Sequence, residues 1–169
     1  KLQNALSAAI ANKATIYIPA GSVCRYTQTL VLHPSTNLVG EGHATSVLLY
    51  CGTGDAVRVD TPNSDNEGHV IRDLTIRPCT EGTGTYGLHL KITNGSYAYF
   101  SIDGVRIDGF GARALWMANS VNRQDGFFLG RISRSIFKNG ILGQKIGDSI
   151  TFADVKVWGK NNVDLSGMP

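Results

Sequence analysis

Val70-Ile71-Arg72-Asp73-Leu74-Thr75-Ile76 decides the fold, because the chain returns to the same pattern three more times. The echoes are Phe100-Ser101-Ile102-Asp103-Gly104-Val105-Arg106-Ile107, Gly130-Arg131-Ile132-Ser133-Arg134-Ser135-Ile136-Phe137 and Ile150-Thr151-Phe152-Ala153-Asp154-Val155-Lys156-Val157. Each reads apolar, polar, bend, apolar, polar, apolar. Between them runs a second signature, an alternating triplet: Val57-Arg58-Val59, Leu88-His89-Leu90, Leu115-Trp116-Met117, Ile141-Leu142-Gly143 and Val163-Asp164-Leu165. The triplets start at 57, 88, 115, 141 and 163, intervals typical of a solenoid repeat.

An alternating triplet sends its first and third side chains to one face of a strand and its second to the other. So short a strand buries too little alone, but stacked coils join their inward rows into one continuous core. The unequal intervals fall to turns, which the 20 glycines and the Asn, Ser and Asp residues between the runs supply. A leucine-rich or helical repeat needs a period of about 3.6 in each unit, and none follows residue 13. The opening differs: Leu2, Ala5, Leu6, Ala9 and Ile10 recur at helical spacing. The reading is therefore an all-β solenoid of parallel strands forming a single domain over 1–169, with 1–13 as a capping α-helix and 14–169 as coils.

After that helix come Ile16-Tyr17-Ile18-Pro19-Ala20-Gly21, Thr29-Leu30-Val31-Leu32, Asn37-Leu38-Val39-Gly40-Glu41-Gly42 and Ser46-Val47-Leu48-Leu49. This opening resembles the pectate-lyase-like right-handed parallel β-helices, a superfamily of polysaccharide lyases, glycoside hydrolases, epimerases and bacteriophage tailspikes. The resemblance covers nearly the whole chain and implies a right-handed parallel β-helix with an N-terminal helical cap. It also implies a polysaccharide-recognising and polysaccharide-cleaving protein, extracellular or carried on a phage tail, with a homotrimer as the usual tailspike assembly. The matched residues are structural, so they choose no chemistry. The alternative is a catalytically inert glycan-binding or structural module, such as a tail-fibre shaft or adhesin segment.

Composition narrows the partners. Charged residues make up 17% of the chain with a formal net charge of +3, and the scattered basic residues leave no nucleic-acid footprint. No apolar run approaches a membrane span. The uncapped last triplet, followed by Met168-Pro169, leads one to expect a fragment of a longer β-helix, with any trimer-forming region beyond it. Cys24, Cys51 and Cys79 lie about one coil apart, so a disulfide between coils and buried free thiols are both open. Their spacing fits no zinc pattern.

If the first and third triplet residues point inward, Arg58, His89, Trp116, Leu142 and Asp164 form an outward row, with Asp60, Lys91 and Ala118 in a second row beside it. Coils stack at roughly 4.8 Å, so these side chains form ladders. Trp116 offers a flat platform for a sugar ring. Arg58 and Lys91 can pair with uronate or sialate carboxylates, and His89 can exchange a proton near neutral pH. Flanking loops add Glu81, Tyr86, Asn94, Tyr97, Tyr99, Asn119, Asn122, Arg123 and Asp125. The glycan-binding set is Trp116, Arg58, His89, Lys91, Tyr97, Asn119 and Arg123, and the catalytic candidates are His89, Lys91, Arg58 and Asp60. The bland reading treats the charged members as cross-strand pairs on a solvent face.

Hydrolysis calls for two carboxylates about 5 to 9.5 Å apart, and Asp60, Glu81, Asp125 and Asp164 form no motif. A lyase needs a base and a cation to stabilise the developing negative charge, roles open to Arg, Lys or His. Asp73, Asp103 and Asp154 are expected to stabilise the bend of each copy by bonding to the backbone. Calcium-dependent members of the superfamily hold their metal on an outward Asp cluster. This sequence shows none, so no metal or cofactor is expected, and calcium is implied only by analogy with those members.

Overall fold

The structure, a computed structural model, describes residues 8, 14–32, 36–61, 65, 66, 68–93, 96–119, 126–144 and 149–167. The expected capping helix, apart from Ala8, lies outside the described residues, as does Arg123.

The chain lays its strands down coil by coil. β1 (Thr15–Ile18), β2 (Val23–Tyr26) and β3 (Leu30–Leu32) are followed by β4 (Asn37–Gly40), β5 (Val47–Tyr50) and β6 (Val57–Thr61). Then come β7 (Asp65–Asn66), β8 (Val70–Arg72), β9 (Thr75–Pro78) and β10 (Tyr86–Ile92), and β11 (Ser96–Ala98), β12 (Ser101–Asp103), β13 (Arg106–Ile107) and β14 (Arg113–Asn119). The last are β15 (Phe127–Phe128), β16 (Arg131–Ser133), β17 (Ile136–Lys138), β18 (Ile141–Gln144), β19 (Thr151–Ala153), β20 (Lys156–Trp158) and β21 (Val163–Gly167).

Each strand pairs in parallel with its counterpart one coil away. The first sheet runs β1-β4-β8-β12-β16-β19, the second β2-β5-β9-β13-β17-β20 and the third β3-β6-β10-β14-β18-β21. The architecture is an all-β parallel solenoid, as the two recurring signatures predict. A short fourth sheet, β7-β11-β15, occupies the stretch read as loops between the third and first sheets.

Inward rows build the core. In the third sheet Leu30, Val57, Leu88, Leu115 and Ile141 stack in register, and none is more than 1% exposed. In the first sheet Ile16, Leu38, Ile71, Ile102 and Ile132 do the same. Each fully buried aliphatic side chain of this kind contributes roughly 1.5–3 kcal/mol of transfer free energy. That repetition stabilises strands too short to hold alone.

The first signature is two strands joined by one left-handed residue. Asp73, Arg134 and Asp154 take φ of 55°, 47° and 53°, and Gly104 takes 62°. Backbone bonds of 3.0 Å from Asp73 to Asp103, Gly104 to Ser133 and Arg134 to Ala153 knit these bends together. The expectation of an aspartate at each bend is thus corrected. Asp103 sits on β12, paired with Arg72 and Ser133, and Gly104 takes the bend after it. The Asp103 carboxylate accepts a 2.9 Å bond from the Ser133 hydroxyl and a charged pair from Arg134, and the Arg134 bond leads the causes that hold it below the usual carboxylate range.

Of the cysteines, Cys51 and Cys79 follow β5 and β9 and form a disulfide across neighbouring coils, with Cα atoms 4.9 Å apart. Cys24 is free. It lies on β2 in register with Leu48 and so stands outside the Cys51–Cys79 stack.

Candidate functional site

The third sheet's outward face is built as the triplets predict. Arg58 pairs with His89, His89 with Trp116, Trp116 with Leu142 and Leu142 with Asp164. Asp60, Lys91, Ala118 and Gln144 form the neighbouring row. Arg58 is tied to Asp60 by a 2.9 Å ion pair and by 3.0 Å bonds from Nε. Asn119 stands at the end of β14 opposite Ile92.

His89 faces outward but is covered, with a side chain only 6% exposed. Its ring stacks on the indole of Trp116 at 4.1 Å between centroids. Nδ1 lies 2.7 Å from Asp55 Oδ2; an ionised carboxylate only accepts, so Nδ1 carries the proton. Nε2 is buried without a hydrogen-bond partner among the described residues. Trp116 is half-buried, not fully exposed. Its Nε1 donates to Gln144 Oε1 at 3.3 Å, and Tyr86 packs against it at 4.4 Å.

Tyr97, expected on a flanking loop facing a ligand, instead lies on β11 and is 1% exposed. Its phenol meets His69 Nδ1 at 2.7 Å and its ring stacks on Phe100 at 5.0 Å. The fourth sheet turns this side chain inward to close the core beneath it.

Three residues of the site escaped both outward rows. Asp55, Tyr86 and Arg113 stand two residues ahead of the triplets, and Tyr86 pairs with Arg113 in register. Strict alternation would turn them inward. The corner breaks it, because the small residues Ala56, Gly87 and Ala114 turn inward just ahead of Val57, Leu88 and Leu115. A Cβ on Gly87 would lie 2.1 Å from Ile107 Cγ2, so the bend at that coil requires glycine. The recurrence of a small residue before each of these triplets was the available signal.

These additions make a compact cluster. Burial, then the nearby Asp55 carboxylate, push the Tyr86 phenol above its ordinary value, while Arg113 pulls it down. Arg113 donates Nη1 to the Ala112 carbonyl at 3.2 Å, and its Nε is buried without a partner among the described residues. The arrangement offers a braced aromatic surface beside cations and one sheltered Asp–His pair. Among the described residues, no three His, Cys, Asp or Glu side chains come together in a metal-binding group.

Fold and site together define a parallel β-solenoid with an aromatic and charged ladder on one face. No family model, curated protein or solved structure matches this chain.

Proposed function

We propose that this chain recognises a polysaccharide along the outward face of the third sheet. The observation that carries the proposal is the in-register row Arg58–His89–Trp116, with Tyr86 packed beside it. Trp116 supplies ring area for the C–H face of a sugar, and Arg58 with Lys91 supplies donors for hydroxyls and carboxylates. His89 acts chiefly as a brace for the indole. The test is indole fluorescence of a Trp158→Phe variant, in which Trp116 is the reporter, titrated with bacterial capsule and pectin-like polymers. A saturable shift that disappears when Tyr86 and Arg58 are replaced by alanine supports the reading; an unchanged emission across the panel removes it.

Cleavage is a second reading, favoured by the Asp55–His89–Tyr86 cluster with Arg113 at its edge. In a lyase His89 Nε2 would take the proton beside a uronate as the bond to the glycosidic oxygen breaks, the Tyr86 phenol would give its proton to that departing oxygen, and Arg113 would stabilise the developing anion. Unsaturated products would mark this route, whereas new reducing ends without them would mark hydrolysis. Binding without either leaves the chain as a recognition module.

A further inference from the structure

The second sheet presents an outward face of different construction. One row holds Val23, Val47, Thr75, Arg106, Ile136 and Lys156 in register. Beside it, Leu49 pairs with Arg77 and Lys138 with Trp158. Asp108, just beyond β13, shares a cleft of about 170 Å³ with Arg77, Glu81 and Lys138. That cleft shares Arg77 and Asp108 with one of about 540 Å³ reaching back to Val23 and His43. It shares Glu81 and Lys138 with another of about 420 Å³ extending to Lys160. The three adjoin through these shared residues and are taken together as one groove.

Its charges are mixed and available. Arg106 Nε meets Asp108 Oδ2 at 2.6 Å and Lys138 Nζ meets Glu81 Oε1 at 2.6 Å. Both pairs lie at the surface, where ion pairs hold weakly and open readily to another partner. Arg77 and Lys160 are exposed and pair with no carboxylate among the described residues. Trp158, paired in register with the cleft residue Lys138, is 43% exposed.

We infer that this groove is a second binding site, separate from the third-sheet face, for a glycan chain that bears carboxylates. Arg77 presents a planar fork suited to a carboxylate, and Trp158 offers a ring face to a sugar. Glu81 and Asp108 accept bonds from sugar hydroxyls. A glycan presents such hydroxyl donors on every residue and the phosphodiester backbone of DNA presents none, which sets the glycan ahead of DNA.

The chain has two tryptophans, one on each face, so each site has its own reporter. In a Trp116→Phe variant, Trp158 emission is followed during titration with polygalacturonate, alginate and polysialate, with single-stranded DNA as the competing polyanion. At least one glycan is expected to shift it, and Arg77→Ala to weaken that binding about tenfold or more. Lys160→Ala, also at the surface, is the second variant and should weaken it in the same direction. In the Trp158→Phe background, Arg77→Ala should leave the Trp116 response unchanged, so failure of one site is read apart from failure of the other. Silence of Trp158 with all three glycans, equal binding of DNA, or full affinity in both variants overturns the inference.

Discussion

The His89 imidazole and the Trp116 indole lie nearly parallel, 20° apart in plane with centroids 4.1 Å apart, one coil from each other on the third sheet. Each shelters the other. Trp116 therefore serves stability as well as any ligand, and Trp116→Ala should cost about 1–3 kcal/mol, below the roughly 3–5 kcal/mol of a fully buried aromatic. Polysaccharide binding on this face should fall with it. Urea unfolding beside glycan titration checks both, and a larger stability loss with binding intact would make Trp116 a core residue.

Asp55 holds the covered His89 ring through one 2.7 Å bond. Asp55→Ala leaves Nδ1 buried and unpaired beside an Nε2 that already lacks a partner among the described residues. A stranded buried donor costs about 1–3 kcal/mol. The double variant Asp55→Ala/His89→Leu should recover part of that loss, because no polar group is then stranded. Additive losses in the double-mutant cycle would show that the pair does not interact.

The solenoid was legible because parallel stacking makes one requirement of every coil. Val57, Leu88, Leu115 and Ile141 announce an inward row, and their neighbours Arg58, His89, Trp116 and Leu142 had to share the other face. Two things were hidden. Corners suspend alternation, so the inward turn of Ala56, Gly87 and Ala114 concealed Asp55 and Arg113 and left Tyr86 legible only as a flanking-loop residue. Short strands also look like loops: β11 has three residues, too few for a period, and that hides the inward turn of Tyr97. The bend residues Gly104 and Arg134 share no chemistry with Asp73, only a left-handed backbone.

The Cys51–Cys79 disulfide joins residues 28 apart in sequence. Restricting the unfolded chain over such a loop is worth roughly 3–4 kcal/mol in the chain-entropy account. Unfolding in dithiothreitol should lower stability by up to that amount, and Cys51→Ser should lower it similarly while abolishing the response to reductant. Cys24→Ser, which touches the free thiol, should leave that response intact. A parent protein indifferent to reductant would argue against the bond.

Alkaline pH should weaken the fold through its buried phenols. Burial pushes Tyr97 well above the ordinary phenol range, with a hydrogen bond from the His69 backbone acting against it, and pushes Tyr26 up as well, with Tyr50 adding to the shift. An unfolded tyrosine ionises near pH 10. Above that pH the unfolded chain has released protons that the folded chain still holds, so stability falls as pH rises; below it these groups impose no pH slope. Each such group contributes up to about 1.4 kcal/mol per pH unit. Tyr97→Phe should lose about 1 kcal/mol at neutral pH with the His69 bond and show a shallower decline above pH ~10. Urea midpoints across the alkaline range decide it, and an unaltered slope in Tyr97→Phe would mean that this phenol ionises within the folded protein.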